Sequence, residues 1–129
     1  MPGPAGGSKP RILIVDDEPR MGKAMERLLA PRYEVTVAVS GRQALALLEG
    51  GTEVDAIVCD LMMPVMTGIE MYEVLRAQRP GLAARVVFMT GGAYTDEAQE
   101  FLAQSPQRRL NKPFRPDELE QAIRSVIGG

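Results

Sequence analysis

Histidine is absent from this chain, cysteine occurs once, as Cys59, and lysine three times, at Lys9, Lys23 and Lys112. Without histidine there is no imidazole general base, no Ser-His triad and no phosphohistidine carrier, and a single thiol cannot complete a His/Cys zinc site. The chemistry left is that of carboxylates, hydroxyls and amines. Long apolar runs are missing too: the longest have strand length, far short of the roughly 20 residues of a membrane helix. No apolar stretch follows a charged N-terminus as in a secretory signal. Fifteen basic and seventeen acidic residues leave a net charge of −2, with no block of like charge suited to a nucleic acid or an anionic membrane. A soluble, cytoplasmic protein is expected.

The 129 residues amount to one domain, long enough to bury about two-thirds of its unfolded surface. Residues 1–9, Met-Pro-Gly-Pro-Ala-Gly-Gly-Ser-Lys, have the composition of a flexible tail or linker, and residues 10–128 are expected to form the folded domain. No output module is expected within the chain. From Arg11 onward, short β-rich runs alternate with segments of helical period, the pattern of five βα units around a parallel sheet. The first helix carries Met21, Met25, Leu28 and Leu29 on one predicted face and stops at Pro31. A second strand covers Glu34 to Val39. Ser40 with Gln43, and Thr67 with Glu70, are capping-box pairs that start the second and third helices. Leu45, Leu47 and Leu48 supply the apolar side of the second, and Met71, Tyr72 and Leu75 that of the third. A fourth helix, roughly Thr95 to Ala103, has Phe101 and Leu102 as its large apolar residues beyond Tyr94. The last opens with Pro116, Asp117 and Glu118, suited to a helix N-terminus; its stripe of Leu119, Ala122, Ile123, Val126 and Ile127 predicts packing on the sheet.

The polar residues at the ends of the apolar runs carry the functional signal. Asp16-Asp17 follow Ile12-Leu13-Ile14-Val15, Asp60 follows Ala56-Ile57-Val58-Cys59, Thr90 and Gly91 follow Val86-Val87-Phe88-Met89, and Lys112 stands in a loop before the last helix. In a parallel sheet these ends share one edge, where open α/β sheets place their ligand sites. Carboxylates so gathered repel one another unless a cation compensates. All-oxygen ligation suits Mg²⁺, with Mn²⁺ expected to substitute. Beside such an ion Asp60 has the means to attack a phosphoryl group, with Thr90 and Lys112 receiving its oxygens.

Taken singly, each residue has an ordinary explanation. Asp16-Asp17 fit a strand-to-helix turn, Thr90 a turn before two glycines, Lys112 a solvated loop charge, Cys59 a small core residue. Met62, Met63 and Met66 suit loop packing better than a soft metal, for no thiolate or imidazole supports them. The joint occurrence, in strand order along one edge, outweighs these explanations.

With those residues in hand, the chain resembles the receiver domains of two-component response regulators over Arg11 to Ile127. Ile-Leu-Ile-Val-Asp16-Asp17-Glu is similar to the family's acidic pair, Asp60-Leu-Met-Met-Pro64-Val-Met-Thr-Gly68 to its phosphorylation loop, Met-Thr90-Gly91 to its switch hydroxyl, and Asn-Lys112-Pro113-Phe to its lysine motif. The resemblance implies a flavodoxin-like, doubly wound (βα)5 three-layer sandwich whose parallel strands run in the order 2-1-3-4-5. It implies Asp60 as phosphoacceptor, Asp17, Asp60 and the Met62 carbonyl as direct Mg²⁺ ligands, Asp16 as a ligand through water, and Thr90, Gly91 and Lys112 as phosphate-binding. It also implies a cis bond before Pro113. The implied partners are a sensor histidine kinase or phosphotransfer protein and a downstream effector, with a weak homodimer left open and no direct contact with nucleic acid or membrane. Arg109 stands where the family usually has an inward-swinging Tyr or Phe; it reads either as a solvated strand residue beside Arg108 or as a changed partner surface or Thr90 coupling. Met62 and Gly92 occupy the positions that resemble the family's tuning sites for phosphate lifetime. The resulting expectation is a switch that accepts a phosphoryl group from a kinase, changes conformation and autodephosphorylates, rather than a turnover enzyme. A haloacid-dehalogenase-type phosphatase would need a second Asp two residues after Asp60, where Met62 stands. A degenerate receiver used only for docking would have lost a site carboxylate, and none is lost.

Overall fold

In the computed structural model, residues 9–91, 95–105 and 107–127 are described. Most of the expected tail thus lies outside the described residues, as do Gly92, Tyr94 and the expected domain end at residue 128. Lys9, at the tail's end, donates from Nζ to the Ala30 carbonyl at 2.9 Å.

The strands β1 (Arg11–Val15), β2 (Glu34–Ala38), β3 (Ala56–Asp60), β4 (Val86–Thr90) and β5 (Arg108–Asn111) form one parallel sheet in the order 2-1-3-4-5. Helices α1 (Pro19–Leu29), α2 (Gly41–Glu49), α3 (Gly68–Gln78), α4 (Pro80–Ala83), α5 (Asp96–Gln104) and α6 (Pro116–Ile127) connect and flank them. This is the doubly wound, flavodoxin-like arrangement. The inner strands are apolar without interruption because both faces are covered. Along β1, β3 and β4, alternate side chains enter opposite cores, as period two requires. Leu13, Val15, Ile57, Cys59, Val86 and Phe88 pack with residues of α2, α3 and α5. Ile12, Ile14, Ala56, Val58, Val87 and Met89 pack with α1 and α6.

Local chemistry sets the helix ends. Ser40 Oγ accepts from Gln43 N at 3.0 Å, and Gln43 Oε1 accepts from Val39 N at 2.7 Å. Thr67 and Glu70 close the corresponding box on α3, satisfying donors that the helix leaves free. Thr95 caps α5 by accepting from Ala98 N, so the helix proper begins at Asp96 and runs one residue past the expected Ala103.

Four expectations are corrected. Between α3 and β4 a sixth helix, α4, is inserted: Pro80 suits the first position of a helical turn, and Leu82 and Ala83 are buried beneath it. On α1, Leu28 is 49% exposed whereas Met25 and Leu29 are buried. The helix meets the sheet through Gly22, where an added Cβ would stand 2.7 Å from Val37 Cγ1. A glycine gives no hydrophobic signal, so the face is rotated away from the one the large side chains outline. On α2, Gly41, Ala44 and Leu48 are the buried residues, and Leu45 and Leu47 are only partly covered. Finally, β2 ends at Ala38, leaving Val39 45% exposed.

An aromatic cluster ties the sheet to α3 and α5. Tyr72, Phe88 and Phe101 meet edge to face, with centroids 5.7, 5.6 and 5.5 Å apart, a favoured geometry for quadrupolar rings. Phe88 is fully buried at its centre. Phe88→Ala is expected to destabilise the fold by about 3–5 kcal/mol, read as a lowered urea midpoint with little change in slope.

Candidate functional site at the carboxyl edge of the sheet

Every connection leaves the sheet at the carboxyl ends of its strands, and β1 and β3 are the neighbours from which the chain departs to opposite sides. Such a switch point opens a crevice between two strand tips. Val15 pairs with Cys59, so the next residues, Asp16 and Asp60, emerge side by side. Asp16, Asp17 and Asp60 each offer a carboxylate oxygen, and these oxygens lie within 4.8 Å of one another. Asp16 is 1% exposed, Asp60 9%, and Asp17 faces solvent. Among the described residues, no other group of three His, Cys, Asp or Glu side chains is so placed.

Backbone bonds fix each carboxylate. Asp16 N donates to Ala38 O at 3.1 Å, and Asp16 Oδ1 accepts from Glu18 N at 2.8 Å. Asp60 Oδ1 accepts from Met62 N at 3.3 Å. Leu61 N donates to Met89 O at 2.9 Å, and Gly68 N to Leu61 O at 2.9 Å. Gly68 is required there: a Cβ would stand 2.5 Å from Asp60 O and 3.0 Å from Leu61 Cα, both backbone atoms unable to yield. In the same loop Met66 N bonds Pro64 O at 2.7 Å around Val65, whose φ is 68°. That is a γ-turn of the strained hand, and a β-branched residue is costly in it.

Lys112 enters from the loop after β5. Its Nζ lies 3.3 Å from Asp60 Oδ2 and 3.5 Å from Asp16 Oδ2; the Lys112–Pro113 bond is cis, and Lys112 N donates to Thr90 O at 2.7 Å. Thr90, 3% exposed, donates from Oγ1 to Asn111 Oδ1 at 2.8 Å, with Leu110 O at 3.4 Å. Met62 is partly buried, whereas Gly91 and Arg109 are exposed, Arg109 paired in register with Phe88. The one ammonium, the hydroxyl and the three carboxylates expected from the sequence thus share a single edge. Two contributors stood in the quoted motifs without a role of their own: the register pairs Asn111 with Thr90, and Gly68 packs against the Asp60 carbonyl.

Burial pushes the Asp60 carboxyl above the usual carboxylate range; Lys112 partly opposes this and Asp16 adds to it. Burial alone would lower the Lys112 ammonium, but Asp60 and Asp16 hold it above its ordinary value. Burial, with Asp60 and Asp16 nearby, pushes the Cys59 thiol up, so it is a neutral core group and not a nucleophile. One ammonium facing three carboxylates leaves negative charge uncompensated. The donors are all oxygen, which fits a small hard divalent cation and does not fit a soft one.

The chain matches the response regulator receiver domain over residues 12–124. It is 38% identical over 129 residues to the transcriptional regulatory protein TcrA of Mycobacterium tuberculosis, covering 97% of this chain and 49% of TcrA. It is 35% identical over 121 residues to the sensor histidine kinase TmoS of Ectopseudomonas mendocina, covering 92% of this chain and 12% of that protein. The chain therefore spans about half the length of TcrA and a small part of TmoS. Among solved structures, the receiver domain of a Pseudomonas aeruginosa sensor histidine kinase, with magnesium ion coordinated in its active site cleft, superposes with TM-score 0.80 at 29% identity, covering 95% of this chain and all of that one.

Because the folded-state pKa of Asp60 is raised, its ionisation opposes folding. That penalty is absent below the ordinary carboxylate range, about pH 4, and develops as pH rises through the folded value. Asp60→Asn is therefore expected to raise the Tm of metal-free protein at pH 7.5, and the gain should shrink steadily on acidification. Thermal unfolding in chelator across pH 4–8 measures this; a gain that persists unchanged at pH 4 would contradict the electrostatic cause.

Proposed function

The chain belongs to the response regulator receiver domain family, and on that premise we propose that Asp60 accepts a phosphoryl group from the phosphohistidine of a sensor kinase or phosphotransfer protein. The observation that carries this reading is Asp60 itself, a largely buried strand-end carboxylate with Lys112 at 3.3 Å and two further carboxylates within 4.8 Å. An Asp60 oxygen attacks phosphorus in line; the P–O bond forms as the P–N bond breaks, and the imidazole leaves with the electron pair. Lys112, already beside Asp60, shifts its ammonium onto the phosphoryl oxygens, and Thr90 donates its hydroxyl to another. The Gly91 backbone would contribute to the same phosphate-binding set. Water then attacks the phosphorus of the aspartyl phosphate, returning free carboxylate and inorganic phosphate. The chain is thus a regulatory domain that promotes its own phosphorylation and dephosphorylation.

Asp17, Asp60 and the Met62 carbonyl would hold Mg²⁺ directly and Asp16 through water, with Mn²⁺ able to take the same place. Bound there, the ion supplies positive charge to the equatorial phosphoryl oxygens. The side chains alone arrange the rest: they aim the nucleophile, balance its charge and keep it from bulk water. Phosphorylation adds about two negative charges, enough to pull Thr90 and the loop beyond it toward Asp60. A turnover phosphatase is disfavoured by Met62, an apolar group where a second acid-base residue would be needed. No described helix is long and apolar enough to cross a membrane.

Intact-protein mass spectrometry after incubation with acetyl phosphate and Mg²⁺ tests the reading. Wild type is expected to gain one phosphoryl group and Asp60→Asn none. No gain in either protein, with metal bound, would leave the chain as a docking module. Asp17→Asn is expected to slow phosphorylation by at least about tenfold at fixed Mg²⁺, the loss typical when a metal site is weakened.

A further inference from the structure

Among the polar groups of the site, the Thr90 hydroxyl is already bound away from Asp60. Its proton goes to Asn111 Oδ1 at 2.8 Å. A hydroxyl has one proton to donate, so a Thr90 that donates to Asn111 cannot at the same time donate to a phosphoryl oxygen. The pairing is built into the sheet. Thr90 and Asn111 are partners in the β4–β5 register, and Lys112 N bonded to Thr90 O at 2.7 Å prevents either strand end from sliding. In-register neighbours in a parallel sheet project to the same face, so the amide stands beside the hydroxyl as long as the strands are paired. Arg109, two residues earlier on that face of β5, is exposed and cannot fill an inward aromatic position as an apolar ring would.

We propose that Asn111 is the positioning residue of the switch: it holds the Thr90 hydroxyl off the phosphoryl site in the resting protein and so sets how readily the domain converts when Asp60 is loaded. The inference rests on the phosphoacceptor reading above. A hydrogen bond to a charged phosphoryl oxygen is roughly twice as strong as one to a neutral amide, so Thr90 changes partner when the phosphoryl group arrives. The resting bond subtracts from that gain. Loading the site therefore frees the Asn111 amide, on the same face of the strand as Arg109, and this replaces the swing of a buried ring as the signal passed to β5.

Beryllofluoride with Mg²⁺, a mimic of the aspartyl phosphate, is the probe, with affinity read by fluorine NMR for wild type, Asn111→Leu, Thr90→Ala and the double variant. Leucine keeps the approximate shape of asparagine and removes the acceptor, and position 111 is exposed, so the fold should be retained. Asn111→Leu is expected to bind beryllofluoride roughly twofold to tenfold more tightly, the equivalent of one net hydrogen bond. In the Thr90→Ala background the same substitution should change affinity by a factor near one. Without the probe, the Thr90 γ-methyl resonance of Asn111→Leu should move toward its position in beryllofluoride-saturated wild type. Equal affinity of wild type and Asn111→Leu would overturn the proposal, as would an equal gain in the Thr90→Ala background. A wild type that binds no beryllofluoride would instead remove the phosphoacceptor reading beneath it.

Discussion

Mutual repulsion of carboxylates is the constraint around which this molecule is organised. Asp16 and Asp60 are held side by side and almost out of water with Asp17 close by, and Lys112 is the single ammonium set against them. Left to themselves such groups would separate or take up protons. They stay together because the backbone carrying them is determined by other forces, namely strand pairing, two apolar cores and a chain of loop hydrogen bonds. Burial raises the Asp60 pKa first of all, Lys112 opposes the rise, and the neighbouring Asp16 carboxylate adds to it. In the proposed function the same shortage of positive charge is what a divalent cation would make good, leaving Asp60 ready for a phosphoryl group.

The scaffold that withstands this repulsion has apolar packing on both sides of the sheet. The cluster of Tyr72, Phe88 and Phe101 anchors α3 and α5, while Met25, Leu29, Leu119 and Ile123 fasten α1 and α6 on the opposite side. Rigidity reaches Asp60 through its own loop, where Gly68 lies directly against the Asp60 carbonyl and Val65 is held in a strained turn. Local strain beside a reactive group is tolerated where the surrounding structure over-determines it. The exposed Val65 side chain, 85% open to solvent, offers little packing in return, so its strain is borne by the loop backbone.

Patterns of short range were legible in the sequence. The capping pairs Ser40/Gln43 and Thr67/Glu70 place two helix starts, and uninterrupted apolar runs mark the inner strands, because each depends on residues within a few positions of one another. The acidic pair, Asp60 and Thr90 could be read for the same reason, since each marks the end of its own apolar run, and Lys112 stood out in the loop before the last helix. Misreadings arose where one element's environment was made by another. Leu28 lies on the face that periodicity favours, yet the helix turns toward Val37 through Gly22. No helix was expected between the third helix and β4, where Pro80 and Gly81 start one more turn. Asn111 stood beside Lys112 in the lysine motif, but its partnership with Thr90 emerged only from the register.

The order of residues along the chain alone determined which groups were present and which chemistry was excluded. With no imidazole and one buried thiol, only oxygen and amine chemistry was open, and the alternation of elements required a parallel sheet whose strand tips carry those groups. Tertiary structure decided which groups meet. The crossing of the chain between β1 and β3 brings Asp16 to Asp60, and the pairing of β4 with β5 brings Asn111 to Thr90. Both are relations between residues distant in sequence, established by strand order and register, and no local propensity contains them.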